Sequence, residues 1–217
     1  MDLFYGLVLL AIFSLAYSLS GGLKAVAMTD AVQVILLIFG GLAVSFIALN
    51  IISESNGVIE GMRVVMNEMP EKFDMVLSAD NSSYKDLPGI WILLGLGVWI
   101  GHFFYWGFNQ YITQRALAAK DIKEAQKGVM FAAYLKLLMP IVIVLPGICA
   151  AILFPMLEKS DQAYPTMMSL LPNGLLGLTF AALIAAIVSS LASMSNSIST
   201  IFTMDIYKYF KNKIKLF

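Results

Sequence analysis

Residues 99–120 read WIGHFFYWGFNQYITQRALAAK, and this stretch decides how the rest of the chain is interpreted. It begins apolar enough to lie in a bilayer, and four side chains then recur at positions i, i+3, i+4 and i+7: His102, Tyr105, Trp106 and Asn109. This spacing places them on one face of a helix. Polar groups in hydrocarbon must be satisfied by protein or by water. The sequence therefore predicts that this face of the helix is turned towards a bundle interior or a cavity.

A plainer interpretation of the same stretch stays open. Aromatic residues gather at membrane interfaces, and His102, the only histidine of the chain, can be a hydrogen-bonded packing residue. Gly107 and the Asn109-Gln110 pair also predict a bent or interrupted helix here.

The bulk composition indicates an integral membrane protein. The 217 residues are 59% hydrophobic and only 13% charged, their mean hydropathy is +0.82, and a soluble domain carries about 25% charged residues. The formal net charge is zero, so no basic surface for nucleic acid is predicted. The sequence shows no nucleophile–base pair, metal-ligand cluster or phosphate loop, which argues against an enzyme.

The apolar runs predict an all-α, polytopic bundle that forms one membrane domain over residues 1–217. Five spans are predicted, at about residues 3–19, 31–52, 88–112, 128–154 and 174–204. A short turn at residues 20–24 separates the first two. The polar outer loop 53–87 has apolar residues at helical spacing, which predicts a short helix over 57–69 on the membrane surface or over the bundle. Pro140 and Pro146 predict that the fourth span is kinked or divided.

The distribution of basic residues predicts the orientation in the cell membrane. If the turn at Lys24 is cytoplasmic, the Arg115–Lys127 loop and the C-terminal tail are cytoplasmic too. That side then holds nine basic residues: Lys24, Arg115, Lys120, Lys123, Lys127, Lys208, Lys211, Lys213 and Lys215. The other side holds four: Arg63, Lys72, Lys85 and Lys159. Because cytoplasmic loops carry an excess of Lys and Arg, this orientation is predicted.

Two further sites have both a packing and a functional interpretation. Lys136 lies within the fourth span, where it either snorkels to the interface or lines a polar cavity and donates hydrogen bonds. Ser189 and Ser190 belong to rows of small residues that permit close helix packing, as does the Gly40-Gly41 pair. Hydroxyls beside the carbonyl of Ala186 can instead supply oxygen ligands to Na⁺.

Two long stretches resemble the sodium/solute symporter family, in particular its sodium/glucose and bacterial sodium/galactose cotransporters. They are FFYWGFNQYITQRALAAKDIKEAQKGVMFAAYLKL, starting at Phe103, and GLTFAALIAAIVSSLASMSNSISTIFTMDIYK, starting at Gly177. The resemblance implies an inverted repeat of two five-helix units, with substrate and Na⁺ bound midway at broken helices. The five spans correspond to the last two helices of the first repeat and the first three of the second. The chain is therefore expected to be an incomplete part of a symporter, inactive alone.

The resemblance also implies roles for single residues. Tyr105 matches an aromatic that stacks on the sugar as an inner gate, and Trp106 matches the tryptophan beside it. Lys136 matches a lysine that hydrogen-bonds sugar hydroxyls, whereas His102 stands where the bacterial galactose transporters have Asn. One helix's share of the Na⁺ site is implied at three positions: Ala186, Ser189 and Ser190.

The function that the resemblance implies is sodium-coupled symport of a sugar or similar small polar solute by alternating access, with Na⁺ as the coupling ion. A non-transporting solute sensor on the same fold is one alternative. A sodium symporter for an inositol or an organic acid is another. The expected partners are the small solute and the lipid bilayer.

Overall fold

The computed structural model describes residues 3–74, 76–81, 84 and 95–214, without the side chains of residues 3, 20–25 and 212–214. Within these ranges helices are the only regular secondary structure. The α-helices are α1 Leu3–Ile52, α2 Val58–Glu68, α3 Leu96–Phe103, α4 Gln110–Leu117, α5 Ile122–Lys136, α6 Leu145–Leu153, α7 Ala163–Met168, α8 Asn173–Ile201 and α9 Lys208–Ile214. The helical segments of other types are Pro70–Phe73, Phe104–Phe108, Pro140–Val144, Ser160–Gln162 and Phe202–Tyr207.

Three helical stretches in the described part are long and apolar enough to cross a membrane: Val26–Ile52, Ile122–Leu153 and Asn173–Lys211. Phe4–Leu19 is a shorter apolar helix. Together they confirm a helical membrane protein. Part of the predicted third span, residues 88–94, lies outside the described residues, as do the side chain of Lys24 and several positions of the outer loop.

α1 joins the first two predicted spans without a loop, so the predicted turn at residues 20–24 is wrong. The chain still changes direction there. In a straight helix Tyr17 and Thr29 would lie about 18 Å apart along the axis, yet their side-chain oxygens form a hydrogen bond. α1 therefore bends between these two residues. A bent helix keeps its backbone N–H and C=O groups paired, which a bilayer demands more strictly than water does.

The C-terminal half of α1 packs closely against α8 and the Pro140–Val144 segment. A Cβ atom on Gly40 would lie 2.6 Å from Thr179 of α8, and one on Gly41 would overlap the side chain of Val142. Only glycine permits this approach of the backbones. Both glycines of the pair therefore make the close packing that the sequence suggested.

The predicted short helix lies over the bundle. α2 is amphipathic, and it buries Gly61 and Val65 against the end of α1. A Cβ atom on Gly61 would overlap the backbone of Leu49, so α2 rests directly on the main chain of α1. The apolar core continues from this end into the neighbouring elements through four fully buried residues: Val44, Ala48, Cys149 and Met167.

The fourth predicted span is divided, as its prolines predicted. α5 ends at Lys136, and α6 begins after the Pro140–Val144 segment. Within this break the N–H of Leu145 donates to the carbonyl of Pro140, and Pro146 has no N–H to offer. The carbonyl of Ile141 instead accepts a hydrogen bond of 2.5 Å from the hydroxyl of Ser45 on α1. A side chain of α1 therefore satisfies a carbonyl that the break leaves unpaired.

Candidate functional site

The stretch quoted at the start folds as a broken helix, as Gly107 and the Asn-Gln pair predicted. α3 runs into the Phe104–Phe108 segment, and Asn109 then leaves the helical conformation with φ −79° and ψ 110°. The side chain of Asn109 accepts a hydrogen bond of 3.1 Å from the N–H of Tyr111 and so caps α4. The backbone groups of Asn109 at this break are themselves paired: its N–H donates to the carbonyl of Phe104, and its carbonyl accepts from the N–H groups of Ile112 and Thr113.

Aromatic and basic side chains meet beside this break. The rings of Tyr105 and Trp106 pack edge to face with centroids 5.2 Å apart. The ammonium Nζ of Lys136, at the end of α5, lies 5.1 Å from the centre of the Trp106 ring. The structure thus brings together three of the predicted solute-binding residues, which come from two helical elements. Tyr105 and Trp106 remain 44% and 47% exposed in this chain.

His102 lies on the same side of the break. It shares an apolar groove with Trp106, Trp99 and Phe103. Its Nδ1 atom lies 2.8 Å from the backbone carbonyl of Val98, one helical turn earlier. We call His102, Tyr105, Trp106 and Lys136 the aromatic–lysine set.

A second group of polar side chains joins α1, α4 and α8. The hydroxyl of Ser189 donates a hydrogen bond to Oδ1 of Asp30. The other carboxylate oxygen of Asp30 lies 2.6 Å from the guanidinium of Arg115, which also donates a hydrogen bond of 2.8 Å to the hydroxyl of Ser193. The amide of Gln114 donates to the carbonyl of Ser193 over 3.2 Å. We call these five residues the α8 cluster.

The three predicted sodium ligands lie on α8, but their surroundings differ. Ser189 is only 2% exposed and belongs to the α8 cluster. Ser190 and Ala186 are half-buried. α8 is continuous through all three, so the carbonyl of Ala186 lies in regular helix. Their chemistry fits a small hard cation, which prefers several oxygen ligands.

Sequence reasoning missed Asp30 and the roles of Gln114 and Arg115. Asp30 lies just before the predicted second span and has no predicted role, and Arg115 is predicted only as a basic residue of a cytoplasmic loop. A signal for Asp30 was present, because an acidic residue within a continuous apolar helix is expensive and usually has a partner. Its partners come from α4 and α8, which no local pattern identifies.

These features define a class of protein: a multi-pass helical membrane protein with interrupted helices and polar groups beside the breaks, the architecture typical of solute carriers. The family is shown by comparison with known sequences. A model of the sodium:solute symporter family matches residues 1–215, and the chain belongs to this family.

Several curated relatives match nearly all of the chain. It is 47% identical to a sodium/glucose cotransporter of Vibrio parahaemolyticus, over 95% of the chain and 41% of that protein. It is 34% identical to human sodium/myo-inositol cotransporter 2, over 97% of the chain and 35% of that protein. An uncharacterized symporter of Escherichia coli (strain K12) is 36% identical, over 95% of the chain and 35% of that protein.

The chain thus spans less than half the length of the curated relatives that it matches. These relatives are cotransporters and symporters. Family membership places the chain with transport proteins, as the sequence suggested, and not with enzymes.

Proposed function

We propose that this chain is part of a sodium-coupled symporter for a sugar or a similar small polar solute. The observation that carries the proposal is that two chemically different groups of side chains lie on connected helical elements. The α8 cluster offers oxygen atoms to a cation, and the aromatic–lysine set offers ring faces and hydrogen-bonding groups to a polyhydroxylated solute. Names of the relatives, which refer to sodium with glucose or myo-inositol, support the same pairing.

On the ion side, the hydroxyls of Ser189 and Ser190 and the carbonyl of Ala186 are the proposed ligands of Na⁺. A hydroxyl that donates its hydrogen to Asp30 has its lone pairs left for a cation. The carboxylate of Asp30 adds favourable charge nearby, and Arg115 limits that charge by pairing with it. The site then attracts a monovalent cation without presenting an unpaired carboxylate to the bilayer.

On the solute side, Tyr105 and Trp106 are proposed to pack against the apolar face of a sugar ring. Lys136 is proposed to donate hydrogen bonds to hydroxyl oxygens, and His102 is proposed as a further polar contact. The cation–π contact between Lys136 and Trp106 supports this role, because it holds the ammonium beside the aromatic surface on which the solute would lie. An inositol shares the ring hydroxyls of a sugar, without its ring oxygen, and is the second candidate, favoured by the human relative.

The proposed mechanism is alternating access, in which Na⁺ stabilises the conformation that admits the solute from outside. The bend of α1 near Lys24, the Arg115–Lys127 stretch and the C-terminal tail are proposed to be cytoplasmic. One Na⁺ that moves down a potential of about 100 mV releases about 2.3 kcal/mol. A tenfold concentration gradient adds about 1.4 kcal/mol. Both would favour release of ion and solute to the cytoplasm.

The test is uptake of radiolabelled glucose and myo-inositol into proteoliposomes that contain the complete transporter. We expect an inward Na⁺ gradient to drive uptake and an equal K⁺ gradient to fail. The Ser189→Ala variant should need a higher Na⁺ concentration for half-maximal uptake, because one oxygen ligand is lost. The 217-residue chain alone should not transport. Uptake by the complete protein that is independent of Na⁺ would contradict the proposal.

A further inference from the structure

The corner between α4 and α5 exposes an apolar groove. The two helices pack against each other, and a groove of about 780 Å³ lies between them. This volume is within the range of about 300–1,000 Å³ that is typical of ligand pockets. Leu117 and Ile122 line one end of the groove and are each 77% exposed. Val129 and Met130, which are more than half exposed, line the other end. The groove is therefore apolar along about 12 Å of α5.

This groove runs from the membrane interface towards the hydrocarbon. The membrane-crossing stretch Ile122–Leu153 has 32 residues and is about 48 Å long, whereas the hydrocarbon core is about 30 Å thick. The stretch therefore extends into the headgroup region. Charged residues occur in the first two turns of α5 but not in residues 128–135, so the start of α5 is at the interface. Ile122 then lies at the level of the headgroups, and Met130 lies at the level of the acyl chains.

The headgroup end of the groove carries a net positive charge. Lys120 and Lys123 adjoin lining residues at this end, and both are exposed. Neither has an ion-pair partner within the described part of the chain. Asp121 is occupied as the cap of α5, where its side chain accepts a hydrogen bond of 2.9 Å from the N–H of Glu124. Glu124 pairs with Lys127. The corner therefore holds three lysines and two carboxylates, and two of the lysines are free.

We infer that this corner binds an anionic phospholipid, with one acyl chain in the groove and the phosphate beside Lys120 and Lys123. The groove supplies an apolar surface at the depth of an acyl chain, and the free lysines supply charge that is complementary to the headgroup. A zwitterionic phospholipid fits the same groove, but it has no net charge for the lysines to attract. The inference goes beyond the proposed function, because its ligand is neither the solute nor Na⁺.

Photo-crosslinking of the complete transporter tests this site. The probe is a phosphatidylglycerol with a diazirine in one acyl chain, present as a minor component of phosphatidylcholine vesicles. After irradiation and proteolysis, mass spectrometry should find the probe on peptides that cover residues 116–130. The ratio of this crosslinking to that of the matching phosphatidylcholine probe measures the preference for the anionic headgroup. Unlabelled phosphatidylglycerol should compete with the probe, and unlabelled phosphatidylethanolamine should not.

Single substitutions assign the crosslink to the groove and to its lysines. Lys120→Gln and Lys123→Gln should each lower the preference about fivefold, because a lysine near an anionic surface contributes about 1 kcal/mol. Lys208→Gln removes a charge from α9 and should leave the preference unchanged. Ala125 lines the groove. Ala125→Phe should therefore fill it and abolish crosslinking there, whereas Ala125→Ser should keep it open.

Three results would overturn the inference. Equal crosslinking of residues 116–130 by the two probes would mean that bulk lipid covers the groove. Absence of crosslinking there would mean that another segment of the complete transporter fills it. A preference that Lys208→Gln lowers as much as Lys120→Gln would mean that the charge of the whole surface attracts the lipid. None of these measurements depends on transport, so failure of this site and failure of the proposed function are distinguishable.

Discussion

The α8 cluster and the aromatic–lysine set differ in how their side chains are held. In the α8 cluster, Asp30 and Ser193 each have two partners from other helices, and Ser189 is fully buried. In the aromatic–lysine set, the contacts are one ring pair, one cation–π contact and one bond from His102 to its own helix. Substitutions in the first region should therefore change stability and ion affinity together. Substitutions in the second should change solute affinity alone.

Lys136→Ala should have the largest effect in the aromatic–lysine set. A hydrogen bond from a charged group contributes about 1.5–3 kcal/mol, which corresponds to a loss of solute affinity of about ten- to a hundredfold. The half-saturating Na⁺ concentration and the thermal midpoint should stay within error. Uptake kinetics of the complete transporter and a thermal melt in detergent measure these quantities. Lys127→Ala is the matched control, since Lys127 pairs with Glu124 at an exposed surface. Equal losses of solute and Na⁺ affinity would contradict the assigned role.

Gly41→Ala tests the packing of α1 against the Pro140–Val144 segment. The new Cβ atom would overlap Val142, and overpacking costs about 1–3 kcal/mol. Gly177 of α8 has nothing within 4 Å of its Cβ position, and Ala is favoured over Gly within a helix by about 1 kcal/mol. Gly177→Ala should therefore raise the thermal midpoint of the chain in nanodiscs, whereas Gly41→Ala should lower it. Shifts of the same sign would show that the close approach at Gly41 does not stabilise the fold.

Asp30→Asn should weaken Na⁺ binding by about tenfold, which corresponds to about 1.4 kcal/mol. Asn retains the shape of the side chain but removes the charge beside Ser189, and it leaves Arg115 without its ionic partner. The assay is the Na⁺ dependence of uptake by the complete transporter. Asp161→Asn, in the exposed Ser160–Gln162 turn, should leave this dependence unchanged. If uptake by the Asp30→Asn variant depended on Na⁺ as uptake by the wild type does, Asp30 would have no role in the ion site.

Ser45→Ala should have the smallest effect, a loss of about 1 kcal/mol of stability. The hydroxyl of Ser45 satisfies the carbonyl of Ile141 in the divided span. Without it, amide hydrogen exchange should increase first around Pro140–Val144. Ser169→Ala is the control, because its hydroxyl bonds only within its own exposed turn. Unchanged exchange around Pro140–Val144 would mean that this hydrogen bond contributes little there.

The membrane fold and its helix breaks could be predicted from the sequence because their causes are local. Proline removes a backbone donor, so the division after Lys136 is visible in the sequence. Asn109 is a good capping residue, so the second break is visible too. The amphipathic pattern predicted α2, and its apolar face indicated that it packs on another surface.

The bend in α1 and the α8 cluster could not be predicted, because both depend on contacts between distant residues. Residues 20–24 contain two glycines, which are typical of a turn, yet the backbone remains helical there. The pairing of Asp30 with Ser189 and Arg115 depends on how α1 lies along α8. The solute-binding and sodium-binding roles stay proposals, supported by the positions of these residues.

The direct contact of α2 with the main chain of α1 has a consequence for how α1 can move. Gly61 and Leu49 meet without any intervening side chain, and apolar packing surrounds them. Roughly 28 Å along α1, Asp30 is instead held by a hydrogen bond from Ser189 and an ion pair with Arg115. Any displacement of α1 would therefore have to break apolar packing at one end and charged contacts at the other.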